Sequence, residues 1–237
     1  MLSRALCVFL WLCFVGMASA TEAAVIYSQA LVNPFAGLGS NDPASGGSNQ
    51  RIADDFTLGA GANVASLTWW GLFTTPSGAS YGGTSPLFSV RFYADAGGGA
   101  APALDPFLSV TVTAAPLPTG AITSGDNHAV FAYSATLPSV VSLLAGTYWL
   151  SIVESDAATV DGWEWVPTEL GLGTADNMRR IGDPLSGWIP ADPFGQQRRN
   201  QAFVLDDDPI PPVPEPASLL LLGASLVGLR AWKKRRG

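Results

Sequence analysis

Leu108-Ser109-Val110-Thr111-Val112-Thr113 alternates apolar and hydroxyl residues without a break. A strand sends successive side chains to opposite faces, so this stretch predicts a strand with one buried side. The same period runs through Phe88, Val90, Phe92 and Ala94, interleaved with Ser89, Arg91 and Tyr93. It returns in residues 63–73, where Ala65, Leu67, Trp69 and Phe73 share a face, and in Tyr148, Leu150 and Ile152 after a turn at Ala145-Gly146. Further strands are predicted over 25–31, 51–58, 129–136, 162–166, 178–181 and 201–205. Between them lie turn and breaker clusters such as Ser45-Gly46-Gly47-Ser48, Pro76-Ser77-Gly78, Tyr81-Gly82-Gly83, Gly97-Gly98-Gly99 and Asp183-Pro184. No segment of residues 21–212 keeps a 3.6-residue apolar stripe over ten residues, and no internal repeat points to a propeller or solenoid. The expected fold is therefore all-β. A single β-sandwich or jelly-roll-like domain spans residues 21–208.

Both ends of the chain read differently. Arg4, an apolar run over 5–17 and the small-x-small site Ala18-Ser19-Ala20 predict a signal peptide over 1–20, with the mature chain starting at Thr21. Both cysteines, Cys7 and Cys13, fall inside it, so the mature protein carries no disulfide and no thiolate ligand. Residues 21–212 hold six arginines, no lysine and eighteen carboxylates, hence a net charge of −12, against −7 for the whole chain. Such a domain repels phosphate backbones, so no nucleic-acid partner is expected. About 190 residues suffice for one core without staples.

Asp206-Asp207-Asp208 leads into a proline-rich linker, Pro209-Ile210-Pro211-Pro212 (209–212), which is expected to be extended. The last segment, 213–237, has three parts. Pro214-Glu215-Pro216 comes first, with prolines that fix φ and leave the motif open to another protein. An uncharged stretch over 217–229 follows, including Leu219, Leu220, Leu221 and Leu222. Thirteen helical residues rise about 20 Å against about 30 Å of hydrocarbon, a short transmembrane helix that Arg230 and Trp232 extend by snorkelling and interfacial seating. Lys233, Lys234, Arg235 and Arg236 then hold that end in the cytoplasm.

This tripartite order resembles the PEP-CTERM sorting signal, in which Ala217-Ser218 also commonly follows the tripeptide. The resemblance implies an exported protein of a Gram-negative bacterium, anchored transiently in the inner membrane. There an exosortase, a cysteine transpeptidase-like membrane enzyme, recognises it on the way to the cell surface or extracellular matrix. Such proteins accompany exopolysaccharide production and biofilm. Ala53-Asp54-Asp55-Phe56, Leu67-Thr68-Trp69-Trp70-Gly71 and Ala145-Gly146-Thr147-Tyr148-Trp149-Leu150-Ser151-Ile152 are similar to domains common on PEP-CTERM proteins, a likeness that carries no known active site.

The chemistry-bearing residues are few. The single histidine, His128, follows Gly125-Asp126-Asn127 and reads as a turn residue, with Ser124 and Ser134 as distant partners for a triad. Zinc chemistry lacks further His or Cys ligands. Asp54, Asp55 and Asp161 are calcium candidates, although no calcium-loop spacing accompanies them, and no other cofactor is expected. Glu154, Glu164 and Glu169 supply carboxylates for a glycoside hydrolase without fixing their separation. Trp163 and Trp165 lie on one side of their strand and, with Trp70, are the candidate glycan contacts, since an indole face stacks on a pyranose. The paired arginines 179–180 and 198–199 read as solvated or acid-pairing charges. The expectation is a non-enzymatic structural or adhesive protein of the matrix. The alternatives are a carbohydrate-binding module and, behind it, a secreted hydrolase.

Overall fold

The computed structural model describes residues 24–41, 49–74, 80–81, 85–155, 162–169, 177–181, 187–191 and 200–208. The expected signal peptide, the linker over 209–212 and the whole tail over 213–237 lie outside the described residues, as does Asp161. What is described is all-β. The strands in chain order are β1 (Val25–Gln29), β2 (Leu38–Gly39), β3 (Gln50–Leu58), β4 (Ala62–Thr74), β5 (Ser80–Tyr81), β6 (Leu87–Ala94), β7 (Leu108–Thr113), β8 (Leu117–Ile122), β9 (Ala129–Leu143), β10 (Gly146–Glu154), β11 (Gly162–Trp165), β12 (Pro167–Thr168), β13 (Met178–Ile181), β14 (Ile189–Pro190), β15 (Asn200–Gln201) and β16 (Phe203–Asp206).

Two antiparallel sheets face each other. One is built on the 13-residue β4, which pairs with β9 and then β5 along one edge, and with β16 and then β11 along the other. Strand β1 adds outside β16, β2 outside β11 and β8 outside β9. The second sheet runs β14-β13-β3-β10-β6-β7, and β12 pairs separately with β15. Alternation decides what lies between the sheets. Leu67, Trp69 and Phe73 of β4 meet Phe88, Val90 and Phe92 of β6 and Ile52 and Phe56 of β3 in one continuous core. Ring contacts cross the gap: Trp69 to Phe88 at 5.0 Å, Phe88 to Trp163 at 5.1 Å, and Tyr27 to Phe56 at 5.7 Å. Edge-on and tilted ring pairs of this kind add to the area burial that holds sheets together.

Gly71 is where the packing is tightest. A methyl group there would sit 2.5 Å from Trp163 Cζ2 and 2.7 Å from Trp163 Nε1, so the indole lies directly on the backbone of β4. Gly71→Ala is expected to destabilise the domain by about 1–3 kcal/mol through overpacking. A lowered urea midpoint checks this.

The strands over 108–113 and 178–181 have the expected limits, and most others differ by one or two residues at an end. Strand β9 runs seven residues beyond the expected end at Thr136. Val64 pairs with Val141 but Ser66 pairs with Thr136, so the extra residues of β9, Pro138 among them, are taken up in an irregularity opposite Ala65. A proline has no amide for the ladder, and a bulge is where a strand tolerates one.

Candidate functional site

In β11 the expected alternation holds, and the shared face of Trp163 and Trp165 is the core. Both are 0% exposed. Trp165 Nε1 donates to the Ala202 carbonyl at 3.1 Å, and Trp163 packs against Phe88 and Tyr133. Neither ring presents a face to a sugar, which corrects the expected glycan contact at these two positions: period two identifies a shared face but not its direction. Trp70 points the other way from Trp69 and stays half-buried beside Leu72, Val130 and Val166.

The carboxylates expected to bind calcium are divided. Asp54 and Asp55 are consecutive strand residues and face opposite sides of their sheet. Asp54 shares a face with Ile52 and Phe56, is completely buried, and reaches across to the other sheet. Its Oδ2 accepts hydrogen bonds from Gln29 Nε2 at 2.7 Å and from the Gln201 amide at 2.5 Å, while its Oδ1 accepts from the Asp55 amide at 3.1 Å. Gln29 Nε2 also donates to the Gln201 carbonyl, and Tyr27 donates its hydroxyl to Gln29 Oε1. A carboxylate ringed by N–H donors offers hydrogens where a cation needs oxygens, so Asp54 does not fit a calcium ligand. No group of three or more His, Cys, Asp or Glu side chains fit for a metal occurs among the described residues. Burial and the neighbouring Asp55 charge raise the pKa of Asp54 well above the usual carboxylate range, outweighing its hydrogen bonds.

Glu164 alternates with the two tryptophans and therefore leaves the core. It is half-buried where β11 pairs with β2, pressed by the Gly37 backbone; a methyl there would sit 2.8 Å from Glu164 Oε2. Burial, reinforced by Asp126 and opposed by His128, pushes its pKa up to about 6. Asp126 and His128 sit in a tight turn with Gly125 and Asn127 at positive φ. The Thr123 hydroxyl donates to Asp126 Oδ1 and accepts the His128 amide at 2.9 Å, and His128 Nδ1 lies 3.3 Å from Asp126 Oδ2. Asp126 and His128 lie close enough to Glu164 for their charges to act on its carboxylate. Ser134, by contrast, shares its hydroxyl hydrogen bond with Thr68.

The outer face of the second sheet carries another polar constellation. Asp95 accepts the Gly97 and Gly99 amides and Trp149 Nε1; burial opposes ionisation there, but these donors win and its pKa is lowered. Arg180, expected to be solvated or acid-pairing, is largely buried rather than solvated. Its guanidinium lies 5.3 Å from the Trp188 ring centroid and donates to the Leu104 carbonyl at 2.6 Å.

Sequence reasoning overlooked Gln29, Gln201 and the inter-sheet role of Asp54. A signal was present: Asp54 lies on the apolar face of Ile52 and Phe56, and Gln29 shares a face with Tyr27. A polar residue on the buried period is expected to have a partner across the core.

Comparison with known proteins bears on both parts of the chain. Residues 212–236 match the PEP-CTERM protein-sorting motif, which includes Pro214, Glu215, Pro216, the leucine block and the basic cluster through Arg236. The motif makes this an exported, exosortase-sorted protein with transient membrane anchoring. No curated protein and no solved structure matches the chain. Residues 25–206 match the family described as Domain of unknown function (DUF7901), and the chain belongs to that family.

Proposed function

We propose that the sorted domain is a non-enzymatic structural or adhesive component of the extracellular matrix, associated with exopolysaccharide. The observation that carries this reading is the sorting motif at 212–236 joined to a sandwich whose strongest functional candidates serve cohesion. Trp163 and Trp165 fill the core, and Asp54 ties one sheet to the other. A scaffold with a closely packed inter-sheet core suits a matrix protein. A carbohydrate-binding module is the second reading, supported by Trp70, the candidate indole that is only partly buried.

The test compares a polysaccharide-producing host with and without the protein. The sorted protein should fractionate with the matrix and increase its cohesion while the polysaccharide keeps its chain length. Shortened polysaccharide, restored to full length by Glu164→Gln, would make the protein an enzyme and end this reading. Loss of polysaccharide binding in a folded Trp70→Ala variant would favour the module.

A further inference from the structure

The two ends of the domain leave it side by side. Strand β1 begins where β16 finishes, with Val25 opposite Asp206. Beyond that pair the Asp207 carboxylate accepts the Ala24 amide at 2.8 Å, and the Asp207 amide donates to the Ala24 carbonyl at 3.2 Å. Ser66 Oγ then donates to the Asp208 carbonyl, which fixes the exit of the tail at the level of Ser66. From Ser66, β4 continues backward to Ala62, about four residues or 13 Å further in the same direction. Two loops that cross between the sheets occupy that end: 59–61 between β3 and β4, and 144–145 between β9 and β10. They touch, since a methyl at Gly61 would sit 3.3 Å from the Leu143 carbonyl oxygen and 3.9 Å from Leu144 Cα.

Neither tip carries a charge: Gly59, Ala60 and Gly61 form one, Leu144 and Ala145 the other. Leu144 is 79% exposed, and Val140 and Val25 are each more than half exposed towards the same end. This is an unusual end for a domain of net charge −12. The tail leaves beside it, and the apolar run begins at Ala217, nine residues after Asp208. Nine extended residues span at most about 30 Å. Since the tips project about 13 Å beyond the exit, a tether of this length lets them touch headgroups while the tail is in the membrane.

We propose that the loop tips bearing Leu144 and Ala60, with Val140, form a bilayer-docking end that seats the domain against lipid headgroups until the tail is cut. The partner is a lipid surface of low negative charge, because Asp206, Asp207 and Asp208 flank the exit. The opposite end, with Ile122, Gly162 and the Glu164–His128–Asp126 group, then faces away from the membrane. This inference rests on the sorting motif and is independent of the matrix role.

The test uses the full chain in vesicles of phosphatidylcholine containing a headgroup-spin-labelled lipid. With Cys7 and Cys13 replaced by alanine, Leu144→Cys and Ile122→Cys each accept a single fluorophore. Ile122 is 59% exposed at the far end, opposite Ala129, and serves as the reference. Severalfold stronger quenching at position 144 than at 122 is expected, reduced when Val140→Asp and Ala60→Asp are added. Adding phosphatidylglycerol should weaken the contrast. Equal quenching at both positions, no quenching at 144, or protection of 144 by a second copy without lipid quenching would each overturn the proposal.

Discussion

Trp163→Ala and Trp165→Ala are each expected to cost the domain about 3–5 kcal/mol, a large share of the stability of an ordinary domain. Both rings are fully buried. Trp163 rests on Gly71 and packs edge-on against Phe88 across the gap between sheets, so its removal opens a void that the backbone of β4 cannot fill. Trp165→Ala also deprives the Ala202 carbonyl of the indole N–H, beside the ring contact with Phe203. Urea denaturation of the released protein should show midpoints lower by about 1–2 M at a typical slope for this size. A surface contact for sugar would behave otherwise: truncation would leave the midpoint nearly unchanged and reduce only binding.

The second large effect is a dependence of stability on pH that runs through Asp54. Its folded pKa is raised by burial and by Asp55, so the folded state holds a proton that the unfolded chain releases in the ordinary carboxylate range. Stability from this group is fully present below the unfolded pKa and is lost as pH rises through the folded value. The slope in that window approaches about 1.4 kcal/mol per pH unit for one proton. Asp54→Asn removes the slope. The amide oxygen can still accept from Gln29 and Gln201, and only the bond from the Asp55 amide is given up. The Asn variant should therefore match the native protein in acid and exceed it at neutral pH. Asp54→Ala should be less stable throughout, because it orphans the buried Gln201 amide at about 1–3 kcal/mol. Thermal melts of the three proteins from pH 4 to 8 check both statements. A native profile parallel to that of the Asn variant would mean that Asp54 does not hold the extra proton.

The pattern of residues shows why some of this was legible in the chain and some was not. Leu108 to Thr113 alternates cleanly because one side of β7 packs and the other does not, and its limits follow from the sequence. Strand β8 contains Pro118 and Gly120, is exposed along most of its length and has no apolar period to read. It exists because β9 offers an edge. The two-residue strands β2, β12 and β15 depend in the same way on partners far along the chain. At the site, the common face of Trp163 and Trp165 could be inferred, whereas its direction depended on which sheet lay opposite. The approach of His128, in the turn after β8, to Glu164 of β11 joins residues 36 positions apart, and no spacing rule encodes it.

Pro214-Glu215-Pro216 follows the last described strand in the chain, between an acidic exit and an apolar run. Pulling a charge into the bilayer centre costs about 3 kcal/mol on insertion scales, so the Lys233–Arg236 cluster is expected to hold the tail in place until processing. The decisive measurement is the mass of the mature C-terminus in a host with exosortase and in one without it. The account predicts a chain ending at or near residues 214–216 in the first host and an intact, membrane-bound chain ending at Gly237 in the second. The same intact chain in both hosts would contradict it.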